Sequence, residues 1–103
     1  MAAPYNPPKK GEDFVFYTPL RSYLTGRFLA TPTLAAGDFT VKKDSGTFTN
    51  LSTLPSQDNA GEYVIKITVS STEMNADNIV LRFIDQTSPP EWEDMIISIP
   101  TTQ

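Results

Sequence analysis

The chain has neither cysteine nor histidine. Without cysteine there is no disulfide framework, no thiol nucleophile and no thiolate ligand for a metal. Without histidine the commonest general base and the commonest metal ligand are lost together. The five glycines stand singly at 11, 26, 37, 46 and 61, too far apart for a glycine-rich phosphate loop. No apolar run approaches the roughly 20 residues that span a bilayer. The opening stretch Met1-Ala-Ala-Pro-Tyr-Asn-Pro-Pro-Lys-Lys10 has no apolar segment of the secretory kind, so synthesis in the cytosol is the expectation. Basic residues are outnumbered by acidic ones, eight to twelve, for a net charge of −4. They occur as Lys9-Lys10, Lys42-Lys43 and scattered Arg21, Arg27, Lys66 and Arg82, with no basic stripe, which argues against nucleic acid as a partner.

What is present is proline and β-formers. With 103 residues the chain fits one domain, and 39% apolar residues are enough to exclude an intrinsically disordered chain. Nine prolines and the single glycines cut it into β-branched and aromatic runs of strand length, with no sustained helical period between them. Asp13–Thr18 is such a run, ended by Pro19, which cannot donate to a ladder. Arg21–Ala30 is less regular; Tyr23, Leu24, Phe28 and Leu29 could form a short strand broken at Gly26. Asp38–Lys43 and Thr47–Leu51 flank Asp44-Ser-Gly46 and predict a hairpin. Glu62–Val69 alternates most clearly, with Tyr63, Ile65, Ile67 and Val69 on one face. Ser70-x-x-Glu73 has the form of a capping box and predicts one helical turn before Asn75-Ala-Asp-Asn78. Ile79–Ile84 and Asp94–Ile99 complete the pattern.

These runs predict an all-β fold, an immunoglobulin-like or jelly-roll-like β-sandwich of about seven strands with one short helical turn. Its core is expected to be Phe39, Val41, Phe48, Tyr63, Ile65, Ile67, Ile79, Leu81, Phe83, Ile97 and Ile99. Residues 1–12 read as an extended proline-rich arm and 13–103 as the sandwich domain. Pro4, Pro7 and Pro8 favour extended backbone and reduce the entropy lost on docking, and Tyr5 supplies one apolar anchor. Twelve residues reach at most about 40 Å, enough to touch a neighbouring subunit. Tyr5, Pro7 and Pro8 are therefore the candidate partner-binding residues, opposed by the plainer reading of a frayed tail. An arm exchanged between subunits predicts a homo-oligomer, a trimer or another closed ring.

Chemistry-bearing groups are few. Glu91, Glu93 and Asp94 form the densest acidic group and lie beside Trp92, which suggests a sugar-hydrolysing pair; the plainer reading is an exposed loop with Trp92 as a core plug. Asp44-Ser-Gly46 and Asn75-Ala-Asp-Asn78 have oxygen ligands but fall short of a calcium loop, and both are good turn sequences. Asn50-Leu-Ser52 is a formal glycosylation sequon, relevant only to a secreted protein. No catalytic, metal or cofactor residue is assigned, and a non-enzymatic protein is expected.

Thr33-Leu-Ala-Ala-Gly-Asp-Phe-Thr-Val-Lys-Lys-Asp-Ser-Gly46, Leu51-Ser-Thr-Leu-Pro55, Val69-Ser-Ser-Thr-Glu-Met-Asn-Ala-Asp-Asn78, Glu91-Trp-Glu-Asp94 and Ile99-Pro-Thr-Thr102 together resemble a small β-domain of tailed-bacteriophage virion structural proteins. The resemblance covers residues 31 to 102 and rests on structural punctuation, so no functional residue is carried over from it. It implies a virion protein, on the capsid surface as a decoration (cement) protein or in the tail. The implied partners are the major capsid or tail protein, with neither nucleic acid nor membrane involved. The alternatives are a tail- or fibre-associated adaptor, and a carbohydrate-binding module using Trp92 or surface tyrosines.

Overall fold

The computed structural model describes residues 7–103. Among them the chain is all-β, with six strands in two sheets and no helix. The strands are β1 (Phe14–Thr18), β2 (Phe39–Lys43), β3 (Thr49–Asn50), β4 (Ile65–Val69), β5 (Asn78–Phe83) and β6 (Met95–Pro100). β1 pairs antiparallel with β4, and the larger sheet has the order β3-β2-β5-β6, also antiparallel throughout. Each connection from β1 to β2, β3 to β4 and β4 to β5 therefore crosses from one sheet to the other.

Alternation decides which residues go inside. Ile65, Ile67 and Val69 of the small sheet share one apolar cluster with Phe39, Val41, Ile79, Leu81, Phe83 and Ile99 of the large one. Phe39 joins them by its ring, 4.9 Å from Phe83 and 5.4 Å from Trp92 between centroids. Loop residues Leu20, Leu51, Met74 and Ala76 close the ends of this core.

Two expected core residues lie elsewhere. Phe48 sits one residue before β3, and the β2–β3 register (Val41↔Thr49) carries it opposite Lys42, on the outer face of the sheet. There the Arg82 guanidinium covers its ring at 3.9 Å and the Lys42 ammonium lies 5.7 Å away. Tyr63 fails for a backbone reason. Its φ is 70°, in the left-handed region that costs a bulky residue on the order of 1 kcal/mol or more. The ladder therefore begins at Ile65, and Tyr63 turns to solvent. Ile97 faces inward but is only half-buried, because β6 is an edge strand.

The expected strand in Arg21–Ala30 is a loop with two isolated bridges, Arg21↔Phe28 and Ser22↔Trp92, so six strands form where about seven were anticipated. The expected helical turn is a single hydrogen-bonded turn that does not propagate. Met74 N–H reaches the Ser70 carbonyl at 2.8 Å, but Asn75 N–H turns back to Thr72. One turn fixes several dihedrals for one bond, so an isolated turn does not extend unaided.

The capping-box bonds nevertheless form. Ser70 N–H and Oγ–H donate to Glu73 Oε1 at 2.9 and 3.0 Å, and Glu73 N–H donates to Ser70 Oγ at 3.3 Å. The same carboxylate accepts Ser52 N–H at 2.9 Å, tying the turn to the β3–β4 connection. Ser70→Ala should cost about 1 kcal/mol, read as a lower urea midpoint at unchanged slope. A midpoint equal to wild type would show that the turn is held by its packing alone.

Candidate docking surface

The loop from Leu20 to Ala30 begins and ends on the core. Leu20 is buried and Leu29 packs against the same cluster, and Leu29 N–H closes the loop on the Leu20 carbonyl at 2.8 Å. Inside this span Ser22 N–H meets the Arg27 carbonyl at 2.6 Å, and Gly26 N–H meets the Ser22 carbonyl at 2.9 Å. Gly26, at φ 72°, supplies the left-handed residue that this tight reversal needs. The loop is stapled to the segment before β6: Tyr23 N–H donates to the Glu91 carbonyl and Glu93 N–H to that of Arg21, at 3.0 and 2.8 Å.

With its backbone satisfied and its ends pinned, the loop presents its middle to solvent. Tyr23, Leu24 and Phe28 are 55%, 83% and 50% exposed, and Tyr63, which shares a groove with Phe28, is 53% exposed. Tyr63 reaches this place because its N–H bonds the Ala30 carbonyl at 3.2 Å. Gln57 Nε2 donates to that carbonyl too, at 2.7 Å, locking the loop before β4 onto the loop before β2. Arg21, Gly26, Arg27, Phe28 and Tyr63 line a shallow groove of about 380 Å³.

Arg21 donates to the Gly26 carbonyl at 2.8 Å, lies 5.2 Å from the Phe28 ring centroid and faces Glu93 at 4.0 Å. Arg27 has no carboxylate within ion-pair distance among the described residues. Exposed aromatics and leucine beside two guanidinium groups match the make-up of protein interface cores, where tyrosine, phenylalanine and arginine are enriched.

The candidate residues named from the sequence are placed separately. Tyr5 lies outside the described residues. Pro8 offers its carbonyl to Thr102, which donates N–H at 2.8 Å and Oγ–H at 3.1 Å. Lys10 N–H returns a bond to the Thr102 carbonyl at 2.9 Å, and Gly11 N–H reaches Met74. The end of the arm is thus pinned by the chain's own C-terminal segment, and exposed Pro7 lines a groove there with Phe14 and Thr102.

The acidic group is divided among different tasks. Glu91 accepts Thr33 N–H at 2.6 Å and Thr33 Oγ–H at 3.4 Å, Glu93 faces Arg21, and Asp94 is exposed at the start of β6. Trp92 is buried, with its Nε1–H on the Thr33 carbonyl at 3.3 Å, and offers no platform to a sugar.

Behind the loop lies a buried acidic knot. Burial raises the Asp38 carboxyl above the usual carboxylate range; Gln86 N–H, at 3.1 Å, pulls the other way, and Asp85 adds to the rise. At Asp85, burial also pulls upward. It is outweighed by Thr87 Oγ–H at 2.7 Å, Thr87 N–H at 3.0 Å and Glu91 N–H at 2.7 Å, with help from the Trp92 amide, so this carboxyl sits below the ordinary range.

The exposed loop was not singled out as a site from sequence, although a signal existed. Tyr23-Leu24 and Phe28-Leu29 are adjacent apolar pairs, and in a strand with one buried face the two members of such a pair point to opposite faces. Comparison with protein-family models, curated proteins and solved structures finds no match for the chain.

Proposed function

We propose that this protein is a non-enzymatic structural module of a tailed-bacteriophage virion, a capsid decoration protein built on an immunoglobulin-like β-sandwich. It docks on the shell through the Leu20–Ala30 loop and Tyr63. The observation that carries the docking role is the groove that Phe28 and Tyr63 line with Arg21 and Arg27, on a loop that also exposes Tyr23 and Leu24. The motif resemblance of residues 31–102 supplies the class of partner, the major capsid protein. Arg27, which has no ion pair among the described residues, is available for a carboxylate at the rim of the contact, while the aromatic groups supply the apolar centre. A tail location uses the same surface against a tail protein.

The test is add-back of purified protein to virions assembled without it, scored by co-sedimentation and electron microscopy. Wild type should decorate the particles. Leu24→Asp combined with Phe28→Asp should weaken binding at least about tenfold, since two exposed apolar anchors at an interface centre are each worth roughly 1–2 kcal/mol or more. The melting temperature should be unchanged, because neither side chain is in the core. Removal of residues 1–6 tests the arm in the same assay without cutting the Pro8–Thr102 anchor. Undiminished decoration by the double variant would overturn the assignment of this surface. A second reading, glycan binding, is favoured by the exposed rings of Tyr23 and Tyr63, which could stack on sugars. Retention on host-surface polysaccharide that is lost in a Tyr23→Ala, Tyr63→Ala variant would decide for it.

A further inference from the structure

The large sheet ends on β6, and this edge is open among the described residues. Thr101 N–H bonds the Asp77 carbonyl at 3.0 Å, which sets the parity of the β5–β6 ladder. Met95, Ile97 and Ile99 turn their backbone groups toward β5; Ile96 and Ser98 turn theirs outward. Edge strands are normally guarded by charge, by a bulge or by a covering segment. Met95–Pro100 carries no charge, and Ile96 is 68% exposed. The arm pairs in parallel with this edge at Lys9↔Thr102. The next ladder step would need N–H groups from Pro8 and Pro100, which have none, so that step forms no bond.

We infer that a second copy of this chain occupies the open edge, its β6 antiparallel to the first about a two-fold axis at Ile97. In that register Ile97 faces the Ile97 of the second copy and Ile96 faces its Ser98. The four outward-facing residues exchange about four backbone hydrogen bonds. The two four-stranded sheets become one, and the half-buried Ile97 side chains cover each other. Charge selects a second copy at this edge. A neutral strand paired with itself sets no like charges opposite one another, and the antiparallel direction puts the two Asp94 carboxylates at opposite ends of the junction. The β1 edge of the small sheet is neutral in its own residues but is flanked by acids. Tyr17 on it holds Asp58 through its hydroxyl at 2.6 Å, with Glu62 close by, and Asp13 precedes the strand. Two-fold, self-complementary contacts are also the commonest closed arrangement of identical chains. This inference goes beyond the docking surface and does not rest on it.

Because the chain has no cysteine, a single introduced cysteine reports only on its own copy in a second molecule. Ile97→Cys places two thiols across a non-hydrogen-bonded pair with Cα atoms about 4.5 Å apart, within disulfide reach. Under mild oxidation it should cross-link at least about tenfold faster than Val15→Cys on β1 at the same concentration. Ile96→Lys should raise the dimer dissociation constant in sedimentation equilibrium about tenfold or more, at an unchanged melting temperature of the dilute monomer. Should Ile97→Cys fail to fold, an equimolar mixture of Ile96→Cys and Ser98→Cys chains must form mixed disulfides faster than either chain forms its own. Equal cross-linking at 97 and 15, a monomer at every concentration, or a trimer without the Ile97 cross-link would overturn the inference. A monomeric protein that still decorates particles would overturn it while leaving the docking surface intact.

Discussion

Trp92→Ala should remove about 3–5 kcal/mol of stability, the range for truncating a large aromatic in a packed interior. Trp92 is 0% exposed and stacks on Phe39, its ring plane inclined by 28°; Phe39 in turn meets Phe83 edge-on. The alanine variant leaves Phe39 without its partner on one side and opens a void between Phe39 and the loop carrying Thr33. Domains of this size have about 5–15 kcal/mol in all, so the loss takes roughly a fifth or more of the total. The melting temperature should fall by roughly 15–30 °C. Trp92→Phe keeps a ring in place and loses the Nε1–H bond to Thr33 with a small part of the packed volume. The Thr33 carbonyl lies on an exposed residue where water can replace that donor, so about 1 kcal/mol is expected. Circular dichroism is the readout, because the sole tryptophan is the residue removed. A Trp92→Ala loss under about 1 kcal/mol would mean that the surrounding loops collapse into the space. The Ser22↔Trp92 bridge adds a second consequence: the Leu20–Ala30 loop is fastened to the backbone that this side chain anchors.

The parts of this fold legible in the sequence were those written in strict alternation. Ile65, Ile67 and Val69 on one strand and Ile79, Leu81 and Phe83 on another point inward as a period of two requires. The Asp44-Ser-Gly46 reversal between β2 and β3 was equally plain. Tyr63 was misread because it continues the alternation of Ile65 and Ile67 by residue type while its backbone leaves the extended region. No pattern of side chains reports a single φ of 70°. Phe48 was misread because the loop ending at β3 sets the parity, and one residue more or less in a loop exchanges the two faces. The apolar loop was hidden by a related difficulty. Adjacent hydrophobic pairs signal that something is left outside, but not which member, until the anchors at Leu20, Leu29 and Trp92 are known. Even the Ser70–Glu73 box, correct in its hydrogen bonds, did not determine how far the helical turn would run.

Asp85 is where removal of a polar group should cost most. Its carboxylate is buried and accepts Thr87 Oγ–H, Thr87 N–H and Glu91 N–H, holding the loop from Asp85 to Trp92 in one conformation. Asp85→Asn keeps the shape but turns an amide NH₂ toward groups that are themselves donors. At neutral pH the loss should be about 2–4 kcal/mol, the cost of replacing charge-assisted bonds and leaving at least one buried donor unmatched. The dependence on pH separates charge from shape. Asp85 has a folded-state pKa below its unfolded value, so its contribution is full above the unfolded value near 4 and is lost as pH falls through the folded value. Asp38 has the opposite sign: its folded-state pKa is raised, so the folded state binds that proton more tightly and gains stability as pH falls. Wild type therefore loses the Asp85 contribution in acid while Asp38 acts in the opposite direction. The Asn variant has no Asp85 charge to lose and should show a flatter acid limb. Urea unfolding of both proteins at pH 7 and pH 3 should show the gap between them narrowing at the lower pH. A gap of the same size at both values would mean that Asp85 acts by shape alone, with its charge contributing nothing to the knot behind the docking loop.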